Sequence, residues 1–359
     1  MANRVFNFNP GPATLPLDVL KTVQQELLDY KGTGMSVMEI SHRSAEFDEI
    51  NDTCIALFKE ILELDDSCHV LFMGGGASTQ FAMVPMNFLP KGGTAAYVDT
   101  GSWSSKAIKE AKLLGNVHLA GSSKESKYDH IPDKLDIPGD AAYLHLTSNN
   151  TIYGTQYQAY PDTGGVPLVC DMSSDIASRR WDFNKFDLIY AGAQKNLGPA
   201  GVTVVIIKQT MLDKCAEGNP TMFNYRTHAE KKSLYNTPPA FPIYIVKVVL
   251  EWVKTQGGLH AVEKANMAKK ERIYQLMDQH PDYFRGTVQP GSRSWMNITM
   301  RLPSEDLEKK FIAEAKTAGM VGLKGHRSVG GIRVSLYNAM PLEGAEKLAR
   351  FMEEFKKKN

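Results

Sequence analysis

Lys195 is the residue of this sequence that is best placed for covalent chemistry. It lies between a short apolar run at 188–191 and a β-branched run at 202–207, and the turn NLGPAG follows it directly. This pattern predicts a strand, a loop and a second strand, with the lysine near a strand end. Small or apolar neighbours leave its charge uncompensated, which lowers the pKa of the amine and frees it for Schiff-base chemistry. Taken alone, a solvated loop lysine is the simpler interpretation.

A glycine-rich turn, GGGAST at 74–79, follows an apolar run at 70–73 and precedes a helical pattern at 80–88. A strand, a glycine turn and a helix start gather backbone N–H groups around an anion. The turn differs from GxGxxG because Thr79 stands where the last glycine belongs, and it is no Walker A loop because the chain has no Gly-Lys dipeptide. By itself, a plain tight turn is an equally good interpretation.

Trp103, Thr151 and Asp171 also follow predicted strand ends. Trp103 has an ordinary alternative as a buried aromatic, and Asp171 has one as a helix N-cap or turn residue. Together with Lys195 and the glycine turn, however, they fit one cofactor. Pyridoxal phosphate needs an amine, a carboxylate at its ring nitrogen, a flat surface against its ring and a cup for its phosphate. Asp171 and Lys195 are one strand and one connection apart, so both can reach a cofactor across adjacent strand ends.

The elements that would position these residues alternate between strands and helices. Strand-like runs lie at 70–73, 95–98, 141–146, 167–170 and 188–191. With polar or glycine residues beyond the strand ends, this order predicts a mainly parallel α/β sheet with its ligand site along the carboxyl edge. After Gly257-Gly258, a charged helical pattern and alternating strands and helices predict a smaller α+β domain. We expect a large domain at 16–258 and a small domain at 259–359, with residues 1–15 packing with the latter.

Composition argues against several other classes of protein. The chain has 41 basic and 40 acidic residues, a net charge of +1, and no Lys/Arg block long enough for a nucleic-acid face. Its four cysteines are scattered without a CxxC pair, so we expect neither a metal site nor a disulfide framework. The start lacks an apolar signal region, and no apolar run approaches the roughly 20 residues that span a bilayer. We expect a cytoplasmic enzyme.

Seven motifs, spread over nearly the whole length, resemble the fold-type-I, class V aminotransferases, which depend on pyridoxal phosphate. They are NFNPGPATLP near the start, SHRS at 41–44, FMGGGAS at 72–78, TGSWS at 100–104, AGAQKNLGPAG at 191–201, YNTPP at 235–239 and GHRSVGGIRVSLYNA at 325–339. AGAQKNLGPAG and GHRSVGG are highly specific. The resemblance implies a large domain built on a mainly parallel seven-stranded sheet and a smaller C-terminal α+β domain.

The resemblance implies roles at the cofactor ring. Lys195 and Asp171 are the implied catalytic residues. Lys195 would hold the cofactor covalently and then move a proton, and Asp171 would pair with the ring nitrogen. Trp103 would stack on the ring, and Thr151 would hydrogen-bond its phenolic oxygen.

The resemblance also implies a cup for the cofactor phosphate that is shared between two subunits. The implied contacts are Ala77, Ser78 and Gln194 of one chain and Asn236 and Thr237 of the neighbouring chain. The site would then lie at the interface of a homodimer, and a monomer would be nearly inactive.

Two cationic pockets are implied for the substrate. Arg333 would anchor the α-carboxylate, because arginine binds a carboxylate bidentately. Two His-Arg pairs, His42-Arg43 and His326-Arg327, would receive the distal phosphate or γ-carboxylate. Some members of the family carry an arginine directly after the glycine triplet, where this chain has Ala77. The phosphate pocket must therefore rely on the His-Arg pairs or on further residues.

The implied reaction is a reversible ping-pong transamination in serine biosynthesis. Glutamate and 3-phosphohydroxypyruvate would give 2-oxoglutarate and O-phosphoserine, and the four-carbon analogue of vitamin B6 synthesis, 4-phosphohydroxythreonine, is a possible further substrate. Alternatives within class V are a serine–glyoxylate aminotransferase and a cysteine desulfurase, for which Cys215 is the one loop-like candidate. From a different class, a sugar- or nucleotide-binding protein would use the glycine turn without a cofactor.

Overall fold

The computed structural model describes residues 4–359. Within them the strands are β1 (Phe6–Asn7), β2 (Cys68–Met73), β3 (Thr94–Asp99), β4 (Asn116–Ser122), β5 (Leu144–Thr147), β6 (Leu168–Asp171), β7 (Leu188–Gly192), β8 (Thr203–Lys208), β9 (Arg285–Gly286), β10 (Asn297–Arg301), β11 (Met320–Val321) and β12 (Ile332–Ser335). The α-helices are α1 (Leu17–Glu26), α2 (Ala45–Ile61), α3 (Gly76–Phe88), α4 (Ser102–Ala111), α5 (Gln209–Leu212), α6 (Tyr225–Glu230), α7 (Ala240–Thr255), α8 (Gly258–Gln279), α9 (Glu305–Thr317) and α10 (Leu342–Lys358).

A seven-stranded sheet forms the centre of the larger part of the molecule, in the order β2-β8-β7-β6-β5-β3-β4. All neighbours are parallel except β8, which runs antiparallel to both β2 and β7. The predicted mainly parallel α/β sheet is thereby confirmed. Because β6 and β7 are parallel neighbours, with Asp171 paired to Tyr190, they end at the same edge of the sheet.

Helices cover both faces of this sheet. Alternate residues of each strand point to opposite faces, so Ala96 and Val98 join one core and Ala95 and Tyr97 join the other. Helices α2 and α7 bury their apolar sides in the first core. Helix α3 lies in the second core, where Phe81 and Phe88 contact it. Both faces of the sheet are therefore covered, and its carboxyl edge is the place where a ligand site is expected.

A separate core lies in the C-terminal part of the chain. Strands β12, β10 and β9 form an antiparallel sheet, and its apolar face packs against α8, α9 and α10. Phe8 belongs to this core, and β1 pairs in parallel with β11. The two cores support our proposal of a division at Gly257-Gly258, between α7 and α8. Of the N-terminal segment predicted to pack here, residues 1–3 lie outside the described part of the chain.

The structure differs from the sequence analysis at two places in the large sheet region. The helix expected at 80–88 already begins at Gly76, because Gly75 adopts a left-handed conformation at φ 85° and turns the chain directly into the first helical turn. Strand β4 was not predicted, since most of its side chains are at least partly exposed and its sequence lacks a buried apolar run.

Neither a membrane span nor a metal cluster is found in residues 4–359. Their helices lack the combination of length and apolar character that crossing a bilayer requires. The same residues include no group of three or more His, Cys, Asp or Glu arranged to hold a metal ion.

Candidate active site

A cavity of about 140 Å³ lies at the carboxyl edge of the large sheet. Its walls come from the start of α3, from α4, from the ends of β5 and β6 and from the loop after β7. The predicted site residues among them are Ala77, Ser78, Trp103, Asp171, Gln194 and Lys195. A larger hollow of about 720 Å³ lies between the N-terminal segment and helices α8 and α10, but no predicted site residue lines it.

Lys195 is held inside this cavity and is not a solvated loop lysine. Its Nζ donates a hydrogen bond to Thr151 Oγ1 over 2.7 Å. The N-terminal segment covers it, since Ala13 N–H donates to the carbonyl of Gln194 over 2.9 Å. Burial lowers the pKa of Lys195 to about 8, while the negative charge of Asp171 partly opposes this shift. The amine is therefore available as a nucleophile and a base near neutral pH.

Asp171 ends β6 and is almost fully buried. Its Oδ1 accepts a hydrogen bond from Ser173 N–H over 2.9 Å, and Ser173 Oγ accepts one from Gly192 N–H over 3.1 Å. These bonds tie the end of β6 to the end of β7, so Asp171 and the lysine loop keep a fixed relation. Burial raises the pKa of Asp171, and Ser173 and Lys195 partly oppose it. A cation bound beside this carboxylate would favour its charged form.

The glycine turn forms the N-terminus of α3. Thr79 Oγ1 donates to the carbonyl of Gly75 over 2.8 Å, and a Cβ added to Gly75 would lie 2.9 Å from Thr79 Cβ. Only glycine therefore fits this position. Ala77 and Ser78 follow in the first helical turn and line the cavity. The first N–H groups of a helix have no partner within it, which makes this end suited to an anion such as a phosphate.

Trp103 and Thr147 leave polar atoms without partners in the cavity wall. Neither the Trp103 Nε1–H nor Thr147 Oγ1 has a hydrogen-bond partner in the described protein, although both atoms are buried. The ring of Trp103 lies beside Lys195, whose Nζ is 6.0 Å from the ring centroid. Buried polar atoms usually find partners, so these two fit a cavity that receives a planar, polar ligand. The residues present thus suit pyridoxal phosphate.

Arg333 reaches the same region from strand β12. It is only 6% exposed, and its Nη1 donates to the carbonyl of Thr151 over 3.1 Å. Its Nε is buried without a partner, and no acidic side chain of the described residues forms an ion pair with it. Arg333 is therefore not a solvated strand residue. Arg333 and Lys195 both hydrogen-bond to Thr151, so this buried guanidinium without an acidic partner is well placed to receive a carboxylate.

His326 and Arg327 lie on a compact loop at 325–331. Gly325 N–H donates to the carbonyl of Gly331 over 2.9 Å, which closes the base of the loop. Burial and the positive charge of Arg333 lower the pKa of His326. The imidazole of His326 is therefore close enough to Arg333 for the guanidinium charge to act on it.

The other four predicted residues are not brought to the cavity within the chain. Among the described residues, neither His42 and Arg43 nor Asn236 and Thr237 line it or hydrogen-bond to its lining residues. Arg43 Nε donates to His42 Nε2 over 3.4 Å, and Asn236 Nδ2 donates to the carbonyl of Thr237 over 3.1 Å. A single chain therefore assembles only part of the predicted site.

The sequence analysis assigned no role to several residues that shape the site. Asn149, Ser173 and Ser174 line the cavity, and behind them Asp175 is buried, accepting hydrogen bonds from Ser148 Oγ and from Gln156 Nε2. The polar runs after β5 and β6 were visible in the sequence, but spacing alone does not say which of their members face inward.

Comparison with known proteins agrees with this geometry. The family model described as Aminotransferase class-V matches residues 5–348. The chain belongs to the class-V aminotransferases. A class-V relative, the phosphoserine aminotransferase of Lysinibacillus sphaericus (strain C3-41), is 56% identical over 361 aligned residues, which cover 100% of both sequences.

Two solved class-V structures superimpose closely on the chain. Phosphoserine aminotransferase from Bacillus circulans subsp. alkalophilus has a TM-score of 0.97 at 54% identity, and the match covers 99% of each chain. A pyridoxal phosphate-bound phosphoserine aminotransferase from Trichomonas vaginalis has a TM-score of 0.92 at 34% identity, covering 98% of this chain and 100% of the other. The predicted fold-type-I architecture is confirmed.

Proposed function

We propose that this protein is a pyridoxal phosphate-dependent phosphoserine:2-oxoglutarate aminotransferase of serine biosynthesis. It transfers the amino group of glutamate to 3-phosphohydroxypyruvate in two reversible half-reactions. The observation that carries the proposal is the convergence of Lys195, Asp171 and Trp103 on one cavity beside a helix N-terminus. Full-length identity to phosphoserine aminotransferases supports the choice of substrate.

Residues of this chain would hold each part of the cofactor. The α3 N-terminus at Ala77 and Ser78, with Gln194, would receive its phosphate, and Trp103 would lie against its ring. Asp171 would keep its ring nitrogen protonated, and Thr151 would hydrogen-bond its phenolic oxygen. When bound, pyridoxal phosphate supplies an electron sink for the pair released at the substrate α-carbon.

The chain itself binds the substrate and moves its proton. Arg333 would hold the α-carboxylate, which fixes the α-carbon in front of Lys195. The Lys195 amine, with its pKa of about 8, would take the α-proton and later return one to the product. His326 and Arg327 would receive the distal phosphate or γ-carboxylate. Enclosure beneath residues 9–13 would limit the access of water to this exchange.

We further propose a homodimer in which the neighbouring chain completes the site. His42, Arg43, Asn236 and Thr237 would reach the neighbour's cavity, because within their own chain they reach none. Large apolar side chains remain exposed on and after α1, among them Leu28 at 83% and Met38 at 62%. Exposed apolar patches of this kind are typical of protein–protein interfaces.

The alternatives are less consistent with the described residues. A cysteine desulfurase needs a reactive thiol, but Cys215 is buried, and burial raises its pKa to about 11. A glyoxylate enzyme has no need for the cations gathered around His326. Activity on 4-phosphohydroxythreonine fits the same pockets, and we keep it as a second substrate.

The experiment is a half-reaction titration of the purified, cofactor-loaded protein. Phosphoserine and glutamate should each bleach the visible absorbance of the lysine-bound cofactor, while plain serine at the same concentration should act far more weakly. Lys195→Ala should lack both the absorbance and the turnover, and the exposed-lysine variant Lys109→Ala should keep both. Turnover retained in Lys195→Ala, or equal reaction with serine and phosphoserine, would sink the proposal.

A further inference from the structure

Lys106 is a cation beside the site that has no assigned role. It lies on α4 three residues after Trp103, so the two side chains share a face of the helix. Lys106 Nζ is 4.3 Å from the centroid of the Trp103 ring, and Lys195 Nζ is 6.0 Å from the same centroid. The ring that lines the cavity is therefore flanked by both ammonium groups.

Lys106 is also one of three positive charges that act on His326 and have no salt-bridge partner within residues 4–359. The charges that act on His326 are those of Arg333, Arg327 and Lys106, and each of them lowers its pKa, after the larger effect of burial. Within residues 4–359 none of these three cations forms a salt bridge, whereas lysines elsewhere, such as Lys232 and Lys254, pair with carboxylates. An uncompensated cluster of like charges beside a cavity is typical of a site that binds an anion.

We propose that Lys106 binds the distal phosphate of the substrate and supplies the cation that Ala77 does not provide. The inference rests on the proposed function, because it takes the phosphorylated amino acid as the ligand. It adds a residue from α4 of the large domain to the His326-Arg327 loop and Arg333 of the small domain. The phosphate is then held between the two domains.

The chemistry of lysine suits this role. Its ammonium group is a point charge on a flexible stem, so it can leave the Trp103 ring and meet a phosphate oxygen without a fixed geometry. A phosphate monoester carries a charge of about −1.5 to −2 at neutral pH, more than a carboxylate. Loss of Lys106 should therefore weaken the binding of phosphoserine more than that of glutamate. The binding of plain serine should hardly change.

The test compares Lys106→Met with Lys109→Met in the cofactor-loaded protein. Lys109, like Lys106, is an exposed lysine of α4, but among the described residues it makes no cation–π contact with the Trp103 ring. In Lys106→Met the half-saturation concentration for phosphoserine should rise about 10- to 100-fold, as expected for a lost charge-assisted contact. The half-saturation concentration for serine should stay within about twofold of that of the unmodified protein. Lys106→Arg should restore most of the phosphoserine affinity, and Lys109→Met should match the unmodified protein.

A binding measurement without turnover supplies a second readout. Calorimetric titration of the loaded protein with inorganic phosphate should show weaker binding in Lys106→Met than in Lys109→Met. If the unmodified protein does not react with phosphoserine, the proposed function and the role of Lys106 both fall. If it reacts but Lys106→Met keeps the same half-saturation, only the role of Lys106 is refuted. Equal losses for phosphoserine and serine would mean that Lys106 merely positions Trp103, and would also refute it.

Discussion

The pKa of Lys195 gives the sharpest test of the site, because it can be measured before any substrate is added. Burial lowers this pKa to about 8. At pH 8 about half of the Lys195 amines are then uncharged, whereas an ordinary lysine with a pKa of about 10.4 has roughly one uncharged amine in 250. In cofactor-free protein, Lys195 should therefore react with a small aldehyde about a hundredfold faster than an equally accessible ordinary lysine.

The assay is pulsed reductive methylation with isotopic formaldehyde between pH 6 and pH 11, followed by mass spectrometry of the peptide that contains Lys195. The modification should rise with a midpoint near pH 8. The exposed Lys109, measured in the same digest, reports the pH dependence of the reagent itself. The aldehyde must be small because the volume of the cavity is only about 140 Å³.

Asp171 provides the internal check on the cause of this shift. Its negative charge raises the pKa of Lys195 and so opposes the effect of burial. Asp171→Asn removes that charge and should move the midpoint to lower pH. A midpoint near that of an ordinary lysine, or a shift to higher pH in Asp171→Asn, would refute the assignment of Lys195 as a desolvated amine facing this carboxylate.

Two further predictions concern the scaffold. Gly75→Ala places a Cβ 2.9 Å from Thr79 Cβ at φ 85°, so it should lower the free energy of unfolding by at least about 1–2 kcal/mol and weaken cofactor binding. Adding Thr79→Ala should recover part of the loss. An unchanged thermal unfolding curve in Gly75→Ala would contradict this prediction. Lys269 is buried, donates to the carbonyl of Tyr337 over 2.8 Å, and has its pKa lowered by burial to about 7. Between about pH 7 and pH 10 the unfolded chain keeps the proton on Lys269, whereas the folded chain has lost it. The free energy of unfolding should therefore rise with pH in this range, by up to about 1.4 kcal/mol per pH unit from this group. The rise, measured by urea unfolding at several pH values, should be smaller in Lys269→Met, and equal slopes would exclude Lys269 as its source.

The central part of the site was predictable because it depends on chain order and strand periodicity. Asp171 and Lys195 follow two apolar runs that are consecutive in sequence, and consecutive strands of a parallel sheet often lie side by side. Their convergence therefore needed only the prediction of the sheet. Arg333 was singled out through the family resemblance, because alternation along its strand separates it from the apolar Ile332 and Val334 without showing whether it is buried.

Other features depend on three-dimensional contacts that the sequence does not encode locally. The proposed role of Lys106 depends on its position relative to His326, which is far from it in the sequence. Asp175 resembles an ordinary turn residue until Gln156 is found beside it. His42, Arg43, Asn236 and Thr237 were singled out through a family resemblance, and we propose that a second chain brings them to the site.

The opposite pKa shifts of Lys195 and Asp171 have a common meaning. Burial lowers the pKa of Lys195 and raises that of Asp171, so both groups are pushed towards their neutral forms, and each carries a desolvation cost when charged. A ligand with a protonated ring nitrogen at Asp171 and a carbonyl carbon at Lys195 relieves both costs, because the cation restores the carboxylate and the covalent bond uses the free amine. The fold maintains this unfavourable arrangement through the bonds from Ser173 that join the ends of β6 and β7. Such a ligand would gain affinity from this relief, and because Asp171 and Lys195 act on each other, their substitutions should have non-additive effects on its binding.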